Sequence, residues 1–204
     1  MSNKLIIYTA IAVGGVVLYG VAAHFMEKQR AEAAAKEKKR KAMIAAAEQL
    51  LLPKKFAVSY IISKEGESGE FLCVQRPAND ANLPNVWGLP AGMATAAAGG
   101  SEHPTDAEWT AAVEQSGVQK LGVALKVGAV LSEGQQPRAE YVLHMRQYAV
   151  EVIGGDTPEV PQPVEGVTQY QQWRWAATAD LADAASKGSL CSRLYIDLQK
   201  EKKQ

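Results

Sequence analysis

The sequence predicts an α/β (α+β) sandwich with a mixed β-sheet, preceded by a long transmembrane helix and a helical stalk. Three features of the 204 residues support this prediction. A long apolar run opens the chain, a charged segment follows it, and short β-type runs then alternate with helical ones. Strands and helices in such an order favour a sheet covered by helices. The length suits one domain with an appendage.

The N-terminal run from Leu5 to Met26 contains no Asp, Glu, Lys or Arg. A helix of about 20 apolar residues, each rising ~1.5 Å, covers the ~30 Å hydrocarbon core of a bilayer. We therefore predict a transmembrane anchor over residues 1–26. A cleaved signal peptide is the alternative, and the single early lysine, Lys4, argues against it.

Residues 27–53 form the second predicted segment, a charged helical stalk. They are rich in Ala, Lys, Glu and Gln, with no glycine and no proline before Pro53, which favours a continuous helix. Basic residues follow the apolar run and hardly precede it, an asymmetry that places the rest of the chain on the inner side of a membrane. We expect a single-pass protein with its domain in the mitochondrial matrix, or alternatively in the cytosol.

The third predicted segment, residues 54–204, has the pattern of a folded domain. The turn-rich run between its first two β-type runs predicts a β-hairpin. Thr105 and Glu108 form a capping-box pattern at the start of a helix, and Gly117 is the predicted stop of that helix. Strands are predicted at 56–62, 71–76, 123–131, 141–153 and 171–175, and helices at 106–116 and from 179 towards the end.

Two runs in this segment resemble motifs of the Nudix hydrolase family. Asn85–Gly92, NVWGLPAG, is similar to the family's WxLPGG. Thr110–Val118, TAAVEQSGV, falls where the family has REUxEExGU, the second half of its box, with U an apolar residue. The resemblance extends over roughly Phe56 to Leu198 and implies a Nudix-like fold. It also implies a chemistry, in which box carboxylates hold Mg²⁺ or Mn²⁺ against a substrate diphosphate.

The box is incomplete in this sequence. The metal-binding positions on the helix correspond to Ala111, Glu114 and Gln115, of which one is a carboxylate. Thr110 stands at the arginine position and cannot form an ion pair there. Glu102 corresponds to the first box glutamate, behind an Ala- and Gly-rich insertion. Because hard divalent ions need several oxygen ligands, we expect no catalytic residue, no metal and no cofactor.

Other residues that often carry chemistry form no recognisable site. Glu133 and Glu140 are candidate substitute ligands if the chain is an enzyme that uses Mg²⁺. The cysteines and histidines lack metal-ligand spacing. The tryptophans either stack a base or pack in the core, and Trp109 covers a cleft or meets a partner. The residues concerned are Cys73, Cys191, His24, His103, His144, Trp87, Trp173 and Trp175.

The charge balance and the two motifs together lead to a functional expectation. The chain has 22 basic and 22 acidic residues, which argues against nucleic acid as a partner. We expect a non-catalytic accessory or scaffolding subunit of a membrane complex such as a respiratory assembly, with the other subunits and the bilayer as partners. Two alternatives stay open, a membrane-tethered hydrolase of nucleoside diphosphate derivatives and a nucleotide-binding sensor without hydrolysis.

Overall fold

The computed structural model describes residues 27–28, 30–44, 51–66, 69–95, 103–155, 157–160, 162 and 164–202. The chain divides into two compact units, of which the first ends at Leu51 and the second begins at Leu52. In the first unit, residues 30–44 form helix α1, and its side chains are exposed. Glu37 lies 3.8 Å from both Arg40 and Lys41, and such exposed pairs add only tenths of a kcal/mol each, roughly 0.3–0.5.

The predicted anchor, residues 1–26, lies outside the described residues. Across the described ranges, no helix combines the length and the apolar character needed to cross a membrane. Helix α1, at 30–44, is charged along its length. The prediction of a single-pass membrane protein is therefore corrected, while the division of the chain at 26 and at 53 stays a prediction.

Seven strands in the described part of the second unit form two sheets. Strand order is β4-β1-β6-β5 in the four-stranded sheet and β3-β2-β7 in the three-stranded sheet. Strands β1 and β6 are parallel, and the other neighbours are antiparallel, which confirms the predicted mixed sheet. The strands are β1 (Lys54–Ile62), β2 (Phe71–Gln75), β3 (Trp87–Gly88), β4 (Ala91–Ala94), β5 (Leu125–Pro137), β6 (Val142–Val152) and β7 (Gln172–Ala176).

Helices pack against the four-stranded sheet. Helix α2 (Asp106–Leu121) contacts β1, β4 and β5, whereas α4 (Leu190–Glu201) contacts β5 and β6. The short helix α3 (Ala182–Ser186) precedes α4, and 3-10 turns lie at Ile153–Gly155 and Thr178–Leu181. Because helices pack on this sheet, the central strand β1 is covered, and its sequence is largely apolar from Phe56 to Ile62.

Strand β1 is buried on both faces, since its alternate side chains enter two different core clusters. The buried stretch of β1 runs from Phe56 to Ile62. Within it, the Ser59 side chain is fully buried and accepts a hydrogen bond from the Gln147 amide at 3.0 Å. The same amide donates to the Cys191 carbonyl at 3.1 Å, so these buried polar groups are satisfied. One cluster contains Phe56, Val58, Tyr60 and Ile62, and the other contains Ala57 and Ile61.

The predicted hairpin between the first two strands forms only at its turn. Ser63 and Phe71 make one β-bridge, and the Lys64 N–H donates to the Glu70 carbonyl at 3.0 Å. Beyond this point β1 joins the four-stranded sheet and β2 joins the three-stranded one. The hairpin prediction is therefore wrong beyond the turn, because β1 pairs with β6 and β2 pairs with β7, both distant in sequence.

Helix α2 begins as predicted but ends later. The Thr105 hydroxyl accepts from the Glu108 N–H, and the Glu108 carboxylate accepts from the Thr105 N–H, which confirms the capping box. Gly117 lies inside the helix, and the left-handed stop is Gly122 at φ +69°. At Gly117 a Cβ would lie 2.5 Å from Leu125 Cδ1 and 3.0 Å from the Val123 carbonyl oxygen, so packing requires this glycine.

We predict that Gly117→Ala destabilises the domain by about 1–3 kcal/mol, because the methyl group overlaps a packed core. In an uncrowded helix interior the same change stabilises by roughly 0.5–1 kcal/mol, so the sign of the change is decisive. Urea unfolding of the full-length chain measures it. Ala111→Gly, at an exposed position of the same helix, is the control and should cost about 0.5–1 kcal/mol. A more stable Gly117→Ala protein would contradict the packing.

Candidate functional site

Helix α2 carries the residues that correspond to the second half of the box. Ala111, Glu114 and Gln115 are exposed, and their spacing places them on one helix face. Thr110 is half-buried, and its hydroxyl donates to the Asp106 carbonyl at 3.0 Å. Glu102 lies outside the described residues. Within the described ranges, no group of three or more His, Cys, Asp or Glu side chains is placed to hold a metal ion.

Arg146 on β6 holds the first turn of α2 to the sheet. Its guanidinium donates to Asp106 Oδ1 at 2.6 Å and pairs with Glu133 at 2.7 Å. It also lies over the ring of Trp109, 5.2 Å from the ring centre. The hydrogen bond to Asp106 is the main reason that the pKa of Arg146 is raised. Glu133 is therefore engaged in an ion pair, and Glu140 is exposed between β5 and β6.

Trp109 is a core residue at 5 % exposure. Its ring meets the ring of Phe56 edge-on, with 5.8 Å between centroids. It also lines a cavity of about 300 Å³ together with His103, His144 and Arg146. Trp109 was expected either to cover a cleft or to meet a partner. It borders a cavity, which lies beside the N-terminal half of α2.

Two of the three histidines come together in this cavity, whereas His24 lies outside the described residues. The His103 and His144 rings are 5.8 Å apart, and His103 Nε2 lies 3.1 Å from the Lys54 ammonium. Burial, followed by the nearby His103 and Lys54, lowers the pKa of His144 below its ordinary value of 6.5. The two rings therefore lie together in a cavity that also contains an arginine.

A separate cavity of about 210 Å³ lies where β1, β4 and β6 meet the first turn of α4. Three cationic side chains line it, Arg76, Lys120 and Arg138, and its described lining contains no Asp or Glu. We call this cavity the basic cleft. Its walls also include apolar and aromatic side chains, namely Leu83, Met93, Tyr141, Leu143, Met145 and Tyr170. A concave site that combines apolar walls with a few polar groups is typical of small-molecule binding.

Arg76 is anchored by one carboxylate. Its guanidinium donates to Asp80 at 2.8 Å, and the Asp80 side chain is only 7 % exposed. Burial opposes the charge of Arg76, but Tyr170 and Asp80 outweigh it and raise the pKa of the guanidinium. Burial also opposes the charge of Asp80 and by itself raises the pKa of this carboxyl. Hydrogen bonds from the Leu83 and Asn82 N–H groups and from Arg76 outweigh burial, so the pKa of Asp80 lies below its ordinary value.

The other two cations of the basic cleft bond to backbone carbonyls. Arg138 donates to the Gly188 carbonyl at 2.9 Å, and Lys120 donates to the Ala91 carbonyl at 2.7 Å. Across the described part of the chain neither forms an ion pair. Their charges are therefore not neutralised by a neighbouring carboxylate, and an anionic ligand would supply the missing countercharge.

The backbone around Ala91 is fixed by contacts from α2 and from Tyr170. The Tyr170 hydroxyl accepts from the Ala91 N–H at 2.9 Å and donates to the Ala91 carbonyl at 3.1 Å. At the next residue, Gly92, a Cβ would lie 2.8 Å from Ser116. The glycine is therefore required for the strand to approach the helix, and Lys120 is held at the edge of the cleft.

An adjoining cavity of about 290 Å³ reaches along α2 to Gln115. It shares Gly92, Met93, Lys120 and Thr168 with the basic cleft, and its described lining also lacks a carboxylate. An ammonium repels a dication, and a hard dication needs several oxygen ligands, usually including carboxylates. The described lining of this cavity therefore does not suit a divalent metal ion.

Sequence analysis missed the cations of the basic cleft because three separate segments contribute them. Arg76 precedes Pro77 at the end of β2, and Arg138 follows Pro137 at the end of β5. Lys120 lies in the last turn of α2. An arginine beside a proline at a strand end is the one available sequence signal, and it does not reveal that the side chains converge.

The remaining aromatic and thiol residues lie mostly elsewhere. Trp173 and Trp175 meet edge-on at 5.8 Å and line a separate groove, while Trp87 packs under Arg174. None of these tryptophans lines the basic cleft. Both cysteines are buried and free, and burial raises the pKa of Cys73 to about 12. Base stacking by the tryptophans stays a prediction.

Structural comparison identifies the fold. Neither the family models nor the curated protein sequences give a match. A MutT protein from Methanosarcina mazei Go1 superposes with a TM-score of 0.56 at 15 % identity, over 76 % of this chain and 99 % of that one. A MutT NUDIX hydrolase from Burkholderia pseudomallei gives 0.46 at 20 % identity, over 62 % and 85 % of the two chains. A C. elegans Ap4A hydrolase gives 0.46 at 14 %, over 74 % and 99 %. The chain has the Nudix fold.

This result confirms the Nudix resemblance and corrects one expectation. The chain shares its fold with a MutT protein, and the expectation that the chain is not an enzyme is therefore corrected. A role in a mitochondrial respiratory assembly has no support from these structures. The expected absence of catalytic residues and of a cofactor stays a prediction.

We predict that Asp80→Asn lowers the free energy of unfolding by about 1–3 kcal/mol, because half-buried Arg76 loses its charged partner. Because the pKa of Asp80 in the folded protein lies below its ordinary value of 3.8, the ionised carboxylate stabilises the fold at pH values above 3.8. This contribution is lost as the pH falls through the folded pKa. The variant should lack that acid-dependent loss in urea unfolding. The matched control is Asp197→Asn, whose carboxylate is exposed and pairs with Lys200. Equal effects of the two substitutions would contradict the assignment.

We also predict that His144 makes the free energy of unfolding depend on pH. Because its folded pKa lies below 6.5, the unfolded chain binds the proton more readily. The free energy of unfolding should therefore fall as pH drops below about 6.5 and level off below the folded pKa. Urea unfolding between about pH 7 and pH 5 measures this slope. His144→Gln should reduce it, and an unchanged slope would refute the role of this ring.

Proposed function

We propose that this chain is a hydrolase of the Nudix type that acts on a nucleoside diphosphate linked to another group. The substrate phosphates lie in the basic cleft. The observation that carries the proposal is the convergence of Arg76, Lys120 and Arg138 without a carboxylate in the described lining. The fold shared with the MutT protein of Methanosarcina mazei supports the reaction class.

The walls of the basic cleft support the choice of a nucleoside derivative. Leu143 and Met145 of β6 and Leu83 of the β2–β3 connection provide apolar surface, and Tyr141 and Tyr170 provide aromatic surface. A nucleoside presents a flat, largely apolar base, and a diphosphate presents negative oxygens. Such a ligand matches both properties of the cleft, whereas a purely apolar ligand would leave the cations unpaired.

Hydrolysis of such a substrate is water attack on one phosphorus atom. A bond forms between the water oxygen and phosphorus, the bridging P–O bond breaks, and the leaving phosphate takes the electron pair while the water proton passes to solvent. Negative charge increases on the phosphate oxygens during this step. Cations fixed before the reaction stabilise that charge more effectively than mobile solvent does. Arg138 and Lys120, each bonded to a backbone carbonyl, are the residues to which we assign this role.

We predict that the purified full-length chain hydrolyses one or more members of a panel of nucleoside diphosphate derivatives, tested with and without Mg²⁺ or Mn²⁺. Arg138→Gln should lower kcat/KM by about 10- to 100-fold, the value of one charged hydrogen bond. Lys126→Gln is the matched control, because Lys126 is exposed, pairs with Glu151 and lies outside the cleft.

Two results would contradict the proposed function. Binding of the panel without any turnover would remove the hydrolase assignment. Turnover that Arg138→Gln and Lys126→Gln lower equally would remove the basic cleft as the site. Thermal unfolding of each variant separates a loss of function from a loss of fold.

Association with further protein subunits stays a prediction. The charged residues of α1, at 30–44, are exposed along the whole helix. Native gel migration of the protein extracted from the cells that produce it would test this, and migration as a lone monomer would contradict it.

A further inference from the structure

A fixed positive charge lies in a cavity that Gln115 also lines, and Gln115 is one of the positions at which the resemblance to the family places a metal ligand. The adjoining cavity at Gln115 is lined by the Lys120 side chain, and its described lining contains no carboxylate. Ala111 and Gln115 are neutral, so Glu114 is the one anion among the three positions that correspond to metal ligands. The described lining of this cavity is therefore cationic, unlike a site that holds a dication with carboxylates.

We propose that the protein binds the phosphate groups of its ligand directly through Lys120, without a bridging divalent cation. This inference rests on the proposed function for the class of ligand. It adds the way in which the ligand's charge is recognised.

The ammonium of Lys120 has hydrogen-bond donors to spare. It carries three N–H groups, and the Ala91 carbonyl accepts one of them at 2.7 Å. Over the described ranges no carboxylate pairs with it. Two donors therefore remain for ligand oxygens, and an N–H bond from an ammonium to a phosphate oxygen is a strong, charge-assisted one.

The position of Lys120 is set before a ligand arrives. Its side chain is half-buried, lies 5.4 Å from the centre of the Tyr170 ring and borders both cavities. Tyr170 itself is fixed by two hydrogen bonds to Ala91. A cation held in this way loses little conformational freedom on binding. Lys126, by contrast, is exposed and pairs with Glu151.

The neutral polar groups of the adjoining cavity favour a phosphate over a metal ion. Gln115, Gln119, Ser116 and Thr168 line it, and amide and hydroxyl groups donate hydrogen bonds to phosphate oxygens. Carboxylates at the same positions would repel a phosphate unless a dication lay between them. The amide of Gln115 removes that repulsion, so direct contact requires no bridge.

Isothermal calorimetry on the full-length chain tests the inference, with inorganic pyrophosphate and ADP as probes. Each probe is titrated once with EDTA present and once with Mg²⁺ present. We expect the two dissociation constants to agree within about twofold. Lys120→Met should weaken binding by about 10- to 100-fold in both buffers, Lys120→Arg should retain most of it, and Lys126→Met should leave it unchanged.

The outcomes separate this inference from the proposed function. Binding that requires Mg²⁺, or that Lys120→Met does not weaken, overturns direct recognition by Lys120 and leaves the proposed function standing. Absence of binding by both probes in both buffers overturns the proposed site itself. The comparison of EDTA with Mg²⁺ uses the unmodified chain, so it decides the question even if Lys120→Met fails to fold.

Discussion

The close approach of strand β4 to helix α2 is the constraint on which the site depends. Gly92 has no side chain and therefore lets the strand pass against Ser116. The preceding Ala91 carbonyl accepts from Lys120 and from Tyr170, which links the helix, the strand and the segment before β7. These contacts fix one wall of the basic cleft. The segment Leu89–Gly92, LPAG, thus positions the Lys120 ammonium through the Ala91 carbonyl.

Charge in this protein is segregated locally although it is balanced overall. The whole chain carries 22 basic and 22 acidic residues, yet the described lining of the basic cleft is cationic. At the other end of α2, Arg146 forms ion pairs with both Asp106 and Glu133. The charge balance of the whole chain therefore argues against an extended polyanion as partner, but it does not bear on the binding of a small anion. A single cleft needs only a few cations to bind a diphosphate.

Local patterns were sufficient to predict the elements that local interactions determine. The capping box at Thr105 starts α2, and the apolar run of β1 forms a strand, because both depend on neighbouring residues. Gly117 is required by packing against Leu125 and not as the end of α2, which lies at Gly122, and the separation of β2 from β1 depends on β7. The cations of the cleft likewise converge only through the tertiary fold. Sequence analysis therefore predicted the helix that borders the site, but not the cationic side chains of the basic cleft.

The most direct test is a crystal structure of the full-length chain grown with Mn²⁺ and a non-hydrolysable nucleoside diphosphate analogue. The account predicts phosphate oxygens about 3 Å from the Lys120 ammonium, with no anomalous manganese signal on the face of Glu114 and Gln115. A manganese ion that bridges Glu114 and the phosphate would contradict it.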